Sequence, residues 1–122
     1  MEELVQTLIQ FQVSIKILHW QTHSYARHIA TDTLYTSLSA NIDKFVEILQ
    51  GKYGRVKFHK KAYIRLVNFD DKTGSTSLIK VIQHWLEEAL PKMISTNDTD
   101  LLNIRDEMLA SINQTSYLFT LG

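Results

Sequence analysis

The chain has no cysteine among its 122 residues. That excludes a disulfide framework, a thiolate metal site and a cysteine nucleophile. One proline and four glycines leave little to interrupt a helix. Neither sign of charge is in excess: 13 lysines and arginines stand against 13 aspartates and glutamates. Bulk electrostatics therefore draws the chain toward neither nucleic acid nor acidic partners. No run reaches about 18 uninterrupted apolar residues, so no membrane span is expected. The opening stretch MEELVQTLIQFQVSIK starts with acids and carries glutamines throughout. A secretory leader would start basic and continue as a solid apolar run, so a cytoplasmic protein is expected. Also missing are a glycine-rich phosphate loop, a Gly-x-Ser-x-Gly elbow and a paired CxxC. Hydrolase, kinase and dehydrogenase readings have nothing to stand on.

What is present is apolar periodicity. The hydrophobic fraction of 44% and charged fraction of 21% are those of a soluble globular chain, and the length suits one domain over residues 1–122. Over residues 2–23, Leu4, Val5, Leu8, Phe11, Ile15 and Leu18 recur at three- and four-residue spacings, which predicts a helix. A second helix is expected over 25–50, with Leu34, Leu38, Ile42, Phe45 and Leu49 as its stripe and Gly51 and Gly54 as its stop. Residues 52–74 read as a connector in which YIRLVNF suits either a short strand or an extended loop. Ser75 to Ser77 offer capping hydroxyls for a third helix that faces Leu78, Ile82, Trp85, Leu86, Ala89 and Met93 inward, with Pro91 kinking or shortening it. The turn STNDTD precedes a fourth, striped by Leu101, Ile104, Met108, Ile112 and Phe119. Four amphipathic helices with one long connector after the second predict a four-helix bundle with a crossover.

The polar residues carry the chemical interest. Residues 18–32, LHWQTHSYARHIATD, hold three of the five histidines. On the second helix His28, Asp32, Asp43 and Glu47 follow at spacings of 4, 11 and 4, which places them within an arc of roughly 100° flanking the core stripe. One helix cannot bring all four to one ion, because His28 and Asp43 lie roughly 22 Å apart along the axis. The strip splits into two i,i+4 pairs. The pairs meet only if a second copy of the helix runs antiparallel beside the first, which a two-fold dimer provides, with two equal sites. His19 is placed to join the His28 and Asp32 end. Imidazoles with carboxylates suit iron, manganese or zinc better than copper(I). The alternative is a solvated face with structural histidines.

The same residues resemble the Dps branch of the ferritin-like proteins: His19-Trp20, then His28-x-x-x-Asp32, then Asp43-x-x-x-Glu47, with Gly51 just beyond. The last helix, DLLNIRDEMLASINQTSYLFTL, is loosely similar too. The resemblance implies an all-α, ferritin-like bundle with a ferroxidase site shared between subunits. It implies that His19, His28 and Asp32 of one subunit bind iron with Asp43 and Glu47 of its mate, Glu47 bridging or holding the tightest metal. It implies iron(II) oxidation by peroxide or oxygen, with Trp20 packed close by. His23 has no counterpart in the family pattern and is an accessory candidate. The compact form, with GKYGR after the second helix, also looks like short ferritin-like proteins of bacteriophages and large DNA viruses. That likeness carries the rival reading: a structural or adaptor protein, incorporated in a virus particle with other virion proteins, that keeps the bundle without catalysis.

Between Glu47 and Asp70 the connector is free of acids, and Lys52, Arg55, Lys57, Lys60, Lys61 and Arg65 alternate with Tyr53, Phe58 and Tyr63. Such interleaving could hold nucleic acid. Balanced net charge favours a solvated connector with its aromatics packed on the bundle. His59 reads as surface, His84 as exposed and Trp85 as core. Glu87 and Glu88 are the remaining carboxylates able to supplement a metal. No Glu-x-x-His motif follows, which argues against a di-iron site inside one subunit. Asp98, Asp100, Asp106 and Glu107 gather at the start of the last helix, where its dipole favours acids.

Overall fold

Apolar stripes at helical spacing must be covered, and the four read above close onto one core in the computed structural model, which describes residues 1–122. Every regular element is helical and none is a strand. They are α1 (Glu2–Gln21), α2 (Tyr25–Tyr53), α3 (Thr73–His84), a π-helical turn (Trp85–Ala89), α4 (Leu90–Met93) and α5 (Thr99–Phe119). α3, the π turn and α4 are continuous, so the molecule has four rods. Every stripe residue named for α1, α2 and α5 is buried, with Phe45, Ile15, Leu18, Met108 and Ile112 fully so. Truncating a side chain of that kind costs about 3–5 kcal/mol for a phenylalanine.

Side-chain contacts fix the direction of each rod. α1 and α2 meet through His19 with His28 and through Gln12 with Ser39. α2 and α5 meet through Ser37 with Ser111 and through Tyr53 with Asp98. The third rod meets α5 through Gln83 with Asn113 and Arg105 with Leu86. Each pair is antiparallel, so the rods run up, down, down, up. α2 and the third rod run the same way, and the chain between them must return the length of the molecule.

That return is an extended crossover strapped along α1, with no strand. Its bonds come from α1 side chains. The Gln10 amide donates to the Arg65 carbonyl at 2.9 Å and accepts the Arg65 N–H at 2.8 Å. The Gln21 amide accepts the Phe69 N–H and donates to Asn68, and a Glu2 carboxylate oxygen accepts the His59 N–H. Glutamine amides thus complete backbone groups that a strand partner would otherwise satisfy. Two of the connector's aromatics expected to pack on the bundle face solvent instead: Phe58 and Tyr63 are exposed. Val56 and Phe69 are its partly buried apolar anchors.

Three local expectations are corrected. α2 runs through Gly51 and stops at Gly54, whose φ of +89° suits glycine alone. The serines do not cap α3: the flanking residue is Lys72, with no side-chain cap bond, and an Asp70 carboxylate oxygen accepts the N–H groups of Lys72 and Thr73 at the helix start. In the third rod Met93 is exposed, whereas Ile79 and Leu90 are buried. Ile79 precedes the π turn and shares the α-helical face of Ile82 and Leu86; the π turn accounts for Leu90 and Met93. Leu90 N–H bonds to the Trp85 carbonyl, five residues back, which rotates later residues relative to an α register. Pro91 has no N–H to give. The Leu86 carbonyl therefore loses its helical donor, and the Arg105 guanidinium supplies one at 3.0 Å. Trp85 is half-buried, edge-on to Phe11 at 5.3 Å.

Candidate metal centre

A three-residue turn, Thr22 to Ser24, joins α1 to α2. Ser24 caps α2 through the Arg27 N–H at 3.2 Å, and the Asp71 carboxylate holds the turn through the Thr22 hydroxyl and the His23 N–H. Those two bonds, the Thr22 one first, keep the Asp71 carboxyl below its ordinary value of 3.8. The tight turn sets the last turn of α1 against the first turn of α2.

His19 and His28 meet there. Their rings stack with centroids 3.9 Å apart and planes 18° from parallel. His19 Nδ1 lies 2.8 Å from the His28 carbonyl oxygen, and His28 Nδ1 lies 3.0 Å from the His19 carbonyl oxygen. A carbonyl only accepts, so each Nδ1 carries the hydrogen. In the tautomer with hydrogen on Nδ1 alone, Nε2 carries the ring's lone pair. The fully buried Thr31 fixes the pair further. Its hydroxyl donates to the Arg27 carbonyl at 2.7 Å and lies 3.1 Å from His19 Nδ1 as a second acceptor. Neither Nε2 has a hydrogen-bond partner in the chain, and neither is sealed from solvent. A backbone carbonyl on one imidazole nitrogen and a free lone pair on the other is how metal-binding histidines are oriented.

The carboxylates lie elsewhere. Asp32, Asp43 and Glu47 are all exposed along the outer face of α2, in one line with Thr36 and Ala40. No group of three or more histidine, aspartate or glutamate side chains within the chain is arranged to hold an ion. The structure brings two of the five expected ligands together, His19 with His28, and leaves the acids open. Trp20, expected beside the site, is 68% exposed; the Lys16 ammonium lies 5.8 Å from its ring and 4.5 Å from that of Tyr35. His23 is exposed and contributes its backbone, not its ring, to the turn. Tyr25 and Ile29 are exposed as well. Glu87 and Glu88 are exposed on the π turn.

At the far end of α2, Asp98 does more than favour a helix dipole. It is buried and accepts from the Tyr53 hydroxyl at 2.6 Å, the Ser95 N–H at 2.9 Å and the Lys52 ammonium at 3.1 Å. Those bonds, led by the Tyr53 hydroxyl, hold its carboxyl below the ordinary 3.8. Composition gave no signal for this cluster, because Lys52 and Tyr53 look like ordinary connector residues.

No helix is long and apolar enough to cross a membrane. The profile of a family described as "Family of unknown function (DUF5856)" matches residues 19–119. No curated protein and no solved structure matches the chain.

Proposed function

As a member of the DUF5856 family, the chain inherits no assigned activity, and we propose from its own residues that it is a Dps-like iron(II)-binding protein with ferroxidase sites shared between two copies. The observation that carries this is the reciprocal lock of His19 and His28, which leaves both Nε2 lone pairs free at one end of the α2 acid strip. The up-down-down-up order with one long crossover supports a ferritin-like bundle. The exposed line of Asp32, Asp43 and Glu47 supports an antiparallel partner. A two-fold axis that sets the His28 end of one α2 against the Glu47 end of another crosses α2 between Thr36 and Ala40, both small enough for close approach. The exposed Trp20, Tyr25 and Ile29 would be covered by the same partner.

Iron(II) is the substrate in this reading, and the donor chemistry suits it: imidazole nitrogen on one side, carboxylate oxygen on the other. Other divalent ions suit the same donors. The histidines hold the ion at Nε2. The partner's acids stabilise the added positive charge of the product. Two iron(II) ions each give one electron to one hydrogen peroxide, which takes up two protons and leaves as two waters; dioxygen is the other oxidant of this class.

The expected result is that iron(II) with peroxide is oxidised far faster than in buffer, and that combined Asp43→Ala and Glu47→Ala returns the rate to that of buffer. A wild-type rate equal to buffer would overturn the proposal. The rival, a non-catalytic structural or adaptor role, draws on the same histidine lock, which already ties α1 to α2 without a metal. It expects no iron oxidation, and unchanged assembly after the acid substitutions.

A further inference from the structure

A second feature of the α1–α2 end is independent of iron. Where the first turn of α2, the face of α3 and the end of α5 meet, a cavity of about 210 Å³ is lined by Arg27, Thr76, Lys80, Gln83, Ser116 and Phe119 among others, and no acid lines it. Two of its walls are cationic. The Arg27 guanidinium lies 5.5 Å from the centre of the Phe119 ring, which holds the planar fork in place. Arg27 Nε is buried and has no acceptor in the chain, although buried donors are almost always paired. None of the chain's ion pairs involves Arg27 or Lys80. The nearby acid Asp71 feels the Arg27 charge but is committed to Thr22 and His23.

We infer that this cavity binds a tetrahedral oxyanion of the phosphate class, free or as the end of a phosphoryl ligand, gripped by Arg27 and Lys80. A guanidinium fork and an ammonium supply charge-assisted donors, and the Arg27 Nη groups, which make no hydrogen bond in the chain and unlike Nε are open to solvent, are the ones that grip the anion. The Ser116 hydroxyl makes no hydrogen bond in the chain and stands as a further donor at the rim. The volume suits the anionic group and not a whole nucleotide.

The test is thermal melting of the full chain, with chelator present, against inorganic phosphate at fixed ionic strength and with chloride as reference. Phosphate should raise Tm saturably where chloride does not. Lys80→Gln, on an exposed position that leaves folding intact, should raise the half-saturating concentration about tenfold. Arg27→Lys, which keeps the charge and loses the fork, should weaken binding as well. A parallel titration with AMP separates the sources: equal response marks a phosphoryl group on a larger ligand, and response to phosphate alone marks the free anion. No saturable shift, an equal shift with chloride, or Lys80→Gln and Arg27→Lys both titrating as wild type would each overturn the inference.

Discussion

Which nitrogen an imidazole offers depends on what its other nitrogen meets, and in this chain backbone carbonyls decide it. The sequence picks out His19 and His28 by spacing, but the lock between them depends on main-chain atoms that residue types do not reveal. Asp98 is the same lesson with the opposite outcome. Read along the sequence it is one of several acids at a helix start; in space it is the buried hub of Tyr53, Ser95 and Lys52. Its carboxyl lies below 3.8 in the folded protein. The stability it contributes is therefore complete above that value and is lost as pH falls through the lower folded one. Asp98→Asn should melt below wild type at neutral pH, and the gap should close as pH drops below about 3.8. A gap that stays constant across an acid series would show that the carboxylate charge is not what stabilises this end. The cluster is also bounded from above: the Tyr53 hydroxyl is held above 10.0, chiefly by donating to Asp98, so its contribution is present below 10.0 and lost as pH rises past its folded value.

At the scale of elements, the apolar stripes of α1, α2 and α5 were legible to the residue, because burial on a single helix face leaves a period that composition cannot hide. The third rod was less so. Pro91 signals a disturbance, yet nothing local says whether a helix kinks, ends or takes a π turn. Arg105, a distant residue on α5, donates to the Leu86 carbonyl that the turn leaves open. Arg105→Ala should cost about 1–3 kcal/mol, the price of leaving a part-buried carbonyl without a donor. Chemical denaturation reads that loss. A variant as stable as wild type would mean the π turn satisfies itself. The crossover was illegible for a related reason: Gln10 and Gln21 look like surface glutamines, and their role as stand-ins for a strand partner exists only once residues 65 and 69 lie beside them.

For the whole molecule, the proposed site needs a second copy to complete it. The His19–His28 pair spans the α1–α2 end beside Asp32, and Asp43 and Glu47 lie exposed further along α2, too far from the histidines to serve the same ion within one chain. The distance that separates them is the distance an antiparallel twin would close. Sequence spacing predicts that geometry, and the fold shows the His19–His28 pair on which the proposal rests. Subunit complementation tests it most directly. A chain with His28→Ala and a chain with Asp43→Ala and Glu47→Ala should each be inactive in iron(II) oxidation. Refolded together in equal amounts, half the dimers are mixed and each mixed dimer has one intact site of two, so about a quarter of wild-type activity should return. A mixture that stays as inactive as its parts, while both chains fold and associate, would contradict a site built between copies.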